Sequence, residues 1–368
     1  MQDYKDIISV FLKMGFTAFG GPAAHVAMME DEIVSKRNWV TKQEFLDMYA
    51  ATNVIPGPNS TELVIHLSLR KGGLIGMILG GLSFILPPML MILGIAYVYV
   101  EFGSLPEVDA LLYGIKPVIV AIILVALLRL WKKAIKIPFS YVLVVFVFAM
   151  AFTPVHEILI MGIAGLLMMG FLHLRSLRQH MALAFPLLLT ASQDTRLWIV
   201  FLNFLKIGAI LYGGGYVLLV FIESDFVIRL GLLTNAQLLD AIAVGQLTPG
   251  PLFTTATFIG YLLAGIPGAL LATLGIFLPS FLLVGLLHKL LPVLRSNKWL
   301  SAFLDGVIVA SLGLMAYVLT TLTQTGLIDA YTIVIAVIAF VALYRFKINS
   351  AILVVAGAAI GFLLEFLL

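Results

Sequence analysis

Long uninterrupted apolar runs dominate this sequence, and short polar segments separate them. Beyond residue 70 the runs fall at 73–100, 110–130, 138–152, 156–173, 268–287, 300–322, 331–344 and 350–367. A helix needs about 20 apolar residues to span a bilayer core. The pattern predicts membrane helices, because only helices and closed barrels satisfy the backbone in lipid, and barrel strands would show short alternating segments instead.

The composition strengthens this prediction. Hydrophobic residues make up 62% of the 368 positions, charged residues make up 11%, and mean hydropathy is +1.11. These values exclude a soluble enzyme, a nucleic-acid-binding protein and a disordered chain. Cysteine is absent, which excludes disulfides, thiolate metal sites and a cysteine nucleophile. The N-terminus has no basic region or cleavage site, so we expect it to remain in the mature protein.

The chain also repeats itself at a spacing of 193 residues. Residues 11–58 and 204–251 align without a gap, and 15 of the 48 aligned positions are identical. The identities include Gly, Pro, Lys and Asp positions, which chance similarity between apolar stretches does not explain. We therefore predict two homologous halves, residues 1–185 and 190–368.

The charges between the runs indicate how the two halves are oriented. Lys and Arg prefer cytoplasmic loops. Basic and acidic loops alternate through the first half, and the corresponding loops of the second half show the opposite order. This predicts inverted repeats, each with an odd number of crossings. We predict an all-α polytopic membrane protein with five transmembrane helices per half. Residues 7–29 form the first crossing, 30–45 a cytoplasmic loop and 46–69 a re-entrant hairpin. A count of 12–14 helices, in which the hairpins span, is the alternative.

Each predicted hairpin is interrupted by the same motif. Pro56-Gly57-Pro58 and Pro249-Gly250-Pro251 follow short helices that begin at capping boxes. Proline and glycine stop a helix, and hydroxyl or amide residues then start the next one. Helix N-termini attract anions, and matched interruptions in inverted halves indicate a transport site where the repeats meet. A simple kink is the alternative for either motif alone.

Polar residues near these interruptions are the candidate binding residues. Lys13 and Lys206 match each other and are expected to attract an anion, unless they extend to the interface. Asn53 and Gln246 match as amide donors. The full set for substrate binding is Lys13, Gly20, Gly21, Asn53, Pro56, Gly57, Pro58, Asn59, Ser60, Thr61, Lys206, Gly213, Gly214, Gln246, Thr248, Pro249, Gly250, Pro251, Thr254 and Thr255.

Three further residues are candidates for ion coupling. Glu62 and His66 lie at i, i+4 on one helix face, without ionisable counterparts in the second half. A buried hydrogen bond is the simpler interpretation of the pair. His25 is a weaker candidate. No ligand spacing is diagnostic of a metal, and we assign no catalytic residue and no cofactor.

The motifs resemble those of the chromate ion transporter family in its long-chain, two-domain form. The resemblance rests on Phe19-Gly20-Gly21-Pro22 and the run from Pro56 to Glu62 in the first half, and on the runs 213–216, 245–251 and 277–280 in the second. It covers nearly the whole chain. It implies export of the chromate dianion across a prokaryotic cell membrane, driven by the electrochemical gradient.

Other functions remain open at this point. Sulfate has a similar size and charge, so a sulfate or other small-anion transporter is the main alternative. An intramembrane enzyme that uses Glu62 and His66 is a distant one. The expected partners are the oxyanion and the lipid bilayer, with no nucleic acid. The sequence leaves the oligomeric state open, with a homodimer as one option.

Overall fold

The computed structural model describes residues 2–19, 22–53, 55–103, 105–173, 196–287 and 297–367. Within these ranges all regular structure is helical. The first half contains α1 (Gln2–Thr17), α2 (Pro22–Met29), α3 (Lys42–Ala51), α4 (Asn59–Phe102), α5 (Pro106–Ala134), α6 (Pro138–Met150) and α7 (Glu157–His173). The second contains α8 (Arg196–Ile210), α9 (Leu218–Ile222), α10 (Asn235–Leu247), α11 (Thr255–Leu287), α12 (Lys298–Gly326), α13 (Ala330–Tyr344) and α14 (Ser350–Leu367). The expected boundary between residues 185 and 190 lies outside the described residues.

The two halves correspond element by element. Both predicted capping boxes form. The side chains of Thr41 and Thr234 each accept a hydrogen bond from the backbone amide three residues later, and the side chains of Glu44 and Gln237 accept one from the backbone amides of Thr41 and Thr234. The prediction that all of 30–45 is a loop is wrong, because much of this segment is helical. Glu30–Lys36 forms a π-helical turn, and Glu223–Arg229 forms the same turn in the second half.

Two long helices carry a matched backbone break. Gly72 and Gly73 have φ/ψ of −132°/17° and 62°/−158°, and Ala264 and Gly265 have −151°/28° and 61°/−153°. The positive φ at the second position of each pair favours glycine, which lacks a Cβ. Helices α4 and α11 are therefore each two helices in sequence. Only the residues at these breaks depart from helical φ/ψ within the two helices, so the backbone stays helical through Pro87.

Equivalent helices of the two halves run antiparallel. Between α4 and α11, Gly81 packs against Phe281, whereas Met77, one turn earlier, packs against Gly285, one turn later. Helices α5 and α12 behave in the same way. Val120 lies against Gly326 near the end of α12, whereas Lys136 beyond the end of α5 pairs with Asp305 near the start of α12 at 2.6 Å. The repeats are thus inverted relative to each other.

The remaining helices pack across the two halves. Helix α14 lies against α5, where Gly114 and Gly357 bring the backbones together, and α7 lies against α12 at the matching pair Gly165 and Gly306. Small residues allow this close approach between membrane helices.

Four of the described helices, α4, α5, α11 and α12, are long and apolar enough to cross a membrane. Helices α6, α7, α13 and α14 are apolar but shorter. Together with the interrupted pairs α1–α2 and α8–α9, they form the polytopic all-α membrane protein that the sequence predicts.

Candidate functional site

The hairpins that contain Pro-Gly-Pro are too short to cross a bilayer. Helix α3 has 10 residues, and its length is about 15 Å. The part of α4 before Gly72 is about 20 Å long. Both are shorter than the hydrocarbon core of about 30 Å. Each arm therefore ends inside the protein, and the turn between them lies among the other helices, where Ile55, Pro56, Gly57 and Pro58 are all buried.

Each Pro-Gly-Pro turn is hydrogen-bonded to the opposite half. The Gly57 amide donates to the Leu211 carbonyl at 2.9 Å, and the Gly250 amide donates to the Ala18 carbonyl at 2.9 Å. Leu211 and Ala18 occupy matching positions at the ends of α8 and α1. The two bonds form a reciprocal pair and connect each turn to the helix interruption of the other repeat. Because these two amides are engaged and proline has none, the amides left for a ligand are those of the following helical turn.

The side chain of Glu62 contacts the first Pro-Gly-Pro turn at Gly57. Its side chain is fully buried, and its Oε1 accepts a hydrogen bond of 3.4 Å from Ser280 of the second half. A Cβ at Gly57 would collide with this oxygen. Glu62 Oε2 is buried without a hydrogen-bond partner among the described residues. A carboxyl group thus contacts the turn and both halves at once.

The two histidines predicted for coupling are buried nearby in the first half. His25 lies in α2 and its Nε2 contacts the Ala18 carbonyl at 2.9 Å, so this nitrogen carries the proton. That carbonyl is the same one that accepts from Gly250. His66 lies one turn after Glu62 in α4, as the spacing predicts, and is 8% exposed.

A small cavity opens between the first turn and the interruption after α8. The volume of this cavity is about 30 Å³. Its lining residues are Thr52, Asn53, Ile55, Asn59, Lys133, Leu211, Tyr212, Gly213, Gly214 and Ile308. Four of the predicted binding residues, Asn53, Asn59, Gly213 and Gly214, therefore come together here.

Hydrogen-bond donors converge inside this cavity. Lys133 Nζ and Asn59 Nδ2 each donate to Asn53 Oδ1 at 3.0 Å, and Asn53 Nδ2 donates to the Tyr49 carbonyl at 3.1 Å. Lys133 is not among the predicted binding residues, because it belongs to a cluster of Lys and Arg residues that is typical of a cytoplasmic loop. No short-range sequence pattern predicts its contact with Asn53, because Lys133 is far from the Pro-Gly-Pro motif along the chain.

The matching amide in the second half has different hydrogen-bond partners. Gln246 corresponds to Asn53, but its Nε2 donates to the Tyr216 hydroxyl at 3.0 Å and its Oε1 accepts from Ser350 at 3.0 Å. The Thr248 and Thr254 hydroxyls are bonded to backbone carbonyls of their own turns. The repeats are therefore similar in backbone but differ in the hydrogen-bond partners of their matched amide side chains.

Other predicted binding residues lie near the two turns but outside this cavity. Ser60, Thr61 and Thr255 are buried, and the Thr61 and Thr255 hydroxyls have no hydrogen-bond partner among the described residues. Gly20 and Gly21 lie outside the described residues.

The matched lysines do not line the cavity. Lys206 Nζ lies 2.6 Å from Asp225, which is fully buried and also pairs with Arg229 at 2.6 Å. Lys13 is exposed in α1. The ion pair between Lys206 and Asp225 connects α8 to the π-helical turn Glu223–Arg229. No sequence pattern predicted this contact.

Three of the described residues lie close enough to one another to bind a metal ion. Ligand atoms of His156, Glu157 and Asp225 lie within 4.8 Å of one another. However, Lys206 and Arg229 already neutralise Asp225. Two positive charges at contact distance oppose a cation, so this donor set fits a protein ion-pair network better than a metal.

A helical membrane protein with two inverted repeats, each interrupted at matching positions where the halves meet, has the architecture of a membrane transporter. The interruptions, the cross-repeat bonds and the polar cavity lie at that interface. The chain belongs to the chromate transporter family, since the family's sequence profile, described as "Chromate transporter", matches residues 5–169 and again residues 198–362.

Similar proteins span nearly the same length. A chromate transport protein of Cupriavidus metallidurans is 30% identical over 375 residues, which cover 97% of this chain and 92% of the relative. A probable chromate transport protein of Synechococcus elongatus is 31% identical over 372 residues, covering 97% and 94%. A chromate transport protein of Pseudomonas aeruginosa is 30% identical over 388 residues, covering 98% and 92%. No solved structure matches this chain.

Proposed function

We propose that this protein is a secondary active transporter that exports a divalent oxyanion, chromate, across the cell membrane of a prokaryote. The relatives named chromate transport proteins support the substrate. The reciprocal bonds from Gly57 to Leu211 and from Gly250 to Ala18 carry the proposal for the mechanism. They connect the interrupted elements of two inverted halves, which is where alternating access takes place in transporters of this architecture.

The halves 1–185 and 190–368 are the units that rearrange in this proposal. Asn53 lines a cavity, whereas both ends of the matching Gln246 amide are hydrogen-bonded to Tyr216 and Ser350. This asymmetry supports a conformation in which the access route beside Asn53 is open. Rearrangement about the reciprocal bonds would close this route and open one beside Gln246, so that an anion passes between them.

The cavity chemistry supports an anion as substrate. Its polar lining consists of amide and hydroxyl side chains, glycine backbone and one ammonium, and no carboxylate belongs to the described lining. Tetrahedral oxyanions accept hydrogen bonds in several directions, and charged acceptors form the stronger bonds. Chromate and sulfate share this shape and charge, so the lining alone does not separate them.

Initial uptake into everted membrane vesicles tests the substrate. Vesicles with the protein should accumulate radiolabelled chromate faster than vesicles without it, and collapse of the gradient with an uncoupler should abolish the difference. If the vesicles take up sulfate faster than chromate at equal concentration, sulfate is the substrate instead of chromate. Absence of protein-dependent flux of either anion would contradict the transporter of divalent oxyanions proposed here.

We further propose that Glu62, assisted by His66 and His25, couples transport to protons. Glu62 is fully buried, has no ion partner among the described residues and contacts both Gly57 and Ser280. Its charge therefore acts directly on the turn that joins the halves.

The variant Glu62→Gln keeps the shape of the side chain and removes its proton exchange. We expect its flux to lose dependence on an imposed pH gradient while chromate binding persists. Glu107→Gln, at an exposed acidic position in the first turn of α5, is the matched control and should behave like the unmodified protein. Unchanged pH-driven flux in Glu62→Gln would refute the coupling role.

A further inference from the structure

Lys133 is the only charged side chain among the described residues that line the cavity. Its ammonium has no carboxylate within 4.0 Å in the described part of the chain. Lys136, one turn further along, pairs with Asp305 at 2.6 Å, and Lys206 pairs with Asp225 at 2.6 Å. Lys133 instead contacts the neutral Asn53 carbonyl oxygen. Its positive charge is therefore available to an incoming anion.

The hydrogen bonds around Asn53 indicate how an anion would be bound. Lys133 Nζ and Asn59 Nδ2 donate to the same neutral oxygen, each at 3.0 Å. An ammonium has three donors and an amide nitrogen has two, so both groups retain hydrogens for a second acceptor. The Asn53 oxygen occupies the place that one oxygen of a bound oxyanion would take. A charged acceptor would form stronger bonds with these donors than the amide does.

The opposite wall leaves room for the rest of the ligand. Gly213 and Gly214 have φ of 104° and 118°, and no atom lies within 4 Å of a Cβ built at Gly214. This backbone conformation favours glycine, and the missing side chain keeps the space beside Tyr212 open. The wall belongs to the second half, whereas Lys133 and Asn59 belong to the first. An anion in the cavity would thus contact both repeats.

The repeat does not require a lysine at this position. After a one-residue deletion in the second half the repeat spacing becomes 192 residues, as the match of Gly114 to Gly306 shows, and Thr325 then corresponds to Lys133. Lys132, the adjacent residue, points elsewhere, because its ammonium lies 5.8 Å from the centre of the Tyr344 ring. Two neighbouring lysines in the same basic cluster therefore have different surroundings, and only one of them faces the cavity.

We propose that Lys133 is the substrate-binding cation of the transport site: it binds the charge of a divalent oxyanion, and Asn59 donates a second hydrogen bond. This inference rests on the proposed function, since it assigns a residue to the anion site of that transporter. Asn53 holds both donors in place, and the anion would displace its oxygen.

Kinetics in proteoliposomes test this role with purified protein. Lys133→Met should raise the KM for chromate at least tenfold, with a smaller change in Vmax. Lys133→Arg should restore most of the affinity, because a guanidinium carries the same charge. Lys132→Met is the matched control and should keep the original KM. An unchanged KM in Lys133→Met, or an equal rise in Lys132→Met, would overturn the inference.

A binding measurement covers the case in which Lys133→Met transports too slowly for kinetics. Chromate should raise the melting temperature of the unmodified protein and of Lys132→Met at the same concentrations. Protection of Lys133→Met should need at least tenfold more chromate, and protection at the original concentrations would refute the proposal. If the unmodified protein neither transports nor binds chromate or sulfate, the proposed function itself fails, which is a different result from a failure of Lys133 alone.

Discussion

Substitution of Gly57 by alanine is the most informative perturbation of the repeat interface. Gly57 has a φ of 134° and its amide donates to Leu211 of the other half. A Cβ at this position would collide with Glu62 Oε1 and would lie 2.7 Å from Ser280 Oγ. Gly73 is a matched control, because its φ is 62° and no atom lies within 4 Å of its Cβ position. Alanine at Gly73 therefore introduces backbone strain without a collision.

The two substitutions should differ in magnitude for this reason. An L-residue in a sparsely populated φ/ψ region costs about 1–3 kcal/mol, and this cost applies to both variants. Overpacking of a filled interior adds about 1–3 kcal/mol, and only Gly57→Ala incurs it. The expected losses of unfolding free energy are thus about 2–6 kcal/mol for Gly57→Ala and about 1–3 kcal/mol for Gly73→Ala.

Thermal unfolding of the purified protein and vesicle flux provide the assay. Gly57→Ala should melt several degrees lower, with about twice the shift of Gly73→Ala. It should also lose transport, because the collision displaces the turn that joins the halves. Gly73→Ala should retain most of its flux. Equal melting shifts in the two variants, together with normal flux in Gly57→Ala, would refute the close contact of this turn with Glu62 and Ser280.

Two further predictions concern charged groups outside the cavity. Lys206→Met removes one of two cations from the buried Asp225 carboxylate and should lower the unfolding free energy by about 1–3 kcal/mol. Lys13→Met, at an exposed position, should change it by less than about 0.5 kcal/mol, and equal losses would contradict the assigned pairing. The second group is Asp329, which caps α13: the backbone amide of Thr332, followed by the Tyr113 hydroxyl, lowers its pKa below the ordinary value of 3.8. A carboxyl group whose pKa is lower in the folded state stabilises the fold at pH values above its unfolded-state pKa. This stabilisation is lost as the pH falls through the folded-state pKa. The melting-temperature difference between the unmodified protein and Asp329→Asn should therefore be full at neutral pH and shrink in acid, and a pH-independent difference would refute this.

Local sequence signals predicted much of the helical framework. Capping boxes at Thr41 and Thr234, the Pro-Gly-Pro turns and the apolar runs all have short-range physical causes, and the structure places helix ends accordingly. The internal repeat added the correspondence between halves. Charge alternation predicted inversion, because it reports which loops share a side of the membrane.

Features that depend on long-range contacts could not be predicted in this way. The π-helical turn at Glu223–Arg229 has no short sequence signature, yet it brings Asp225 to Lys206. Lys133 is 80 residues from Asn53 along the chain, and a basic cluster at a helix end explains its charge without any contact. The reciprocal bonds from Gly57 and Gly250 join opposite halves, so they follow only from how the repeats pack.

Inversion of the two repeats is the central claim, and single-cysteine labelling from each side of the membrane tests it directly. The chain contains no cysteine, so each introduced thiol is the only one that reacts. Glu107→Cys and Gln324→Cys should react with an impermeant reagent from the outside, and Lys132→Cys and Lys298→Cys only from the cytoplasmic side. In this set, Gln324 corresponds to Lys132 by the repeat. Labelling of Lys132→Cys and Gln324→Cys from the same side would show that the repeats share one orientation and would contradict the account.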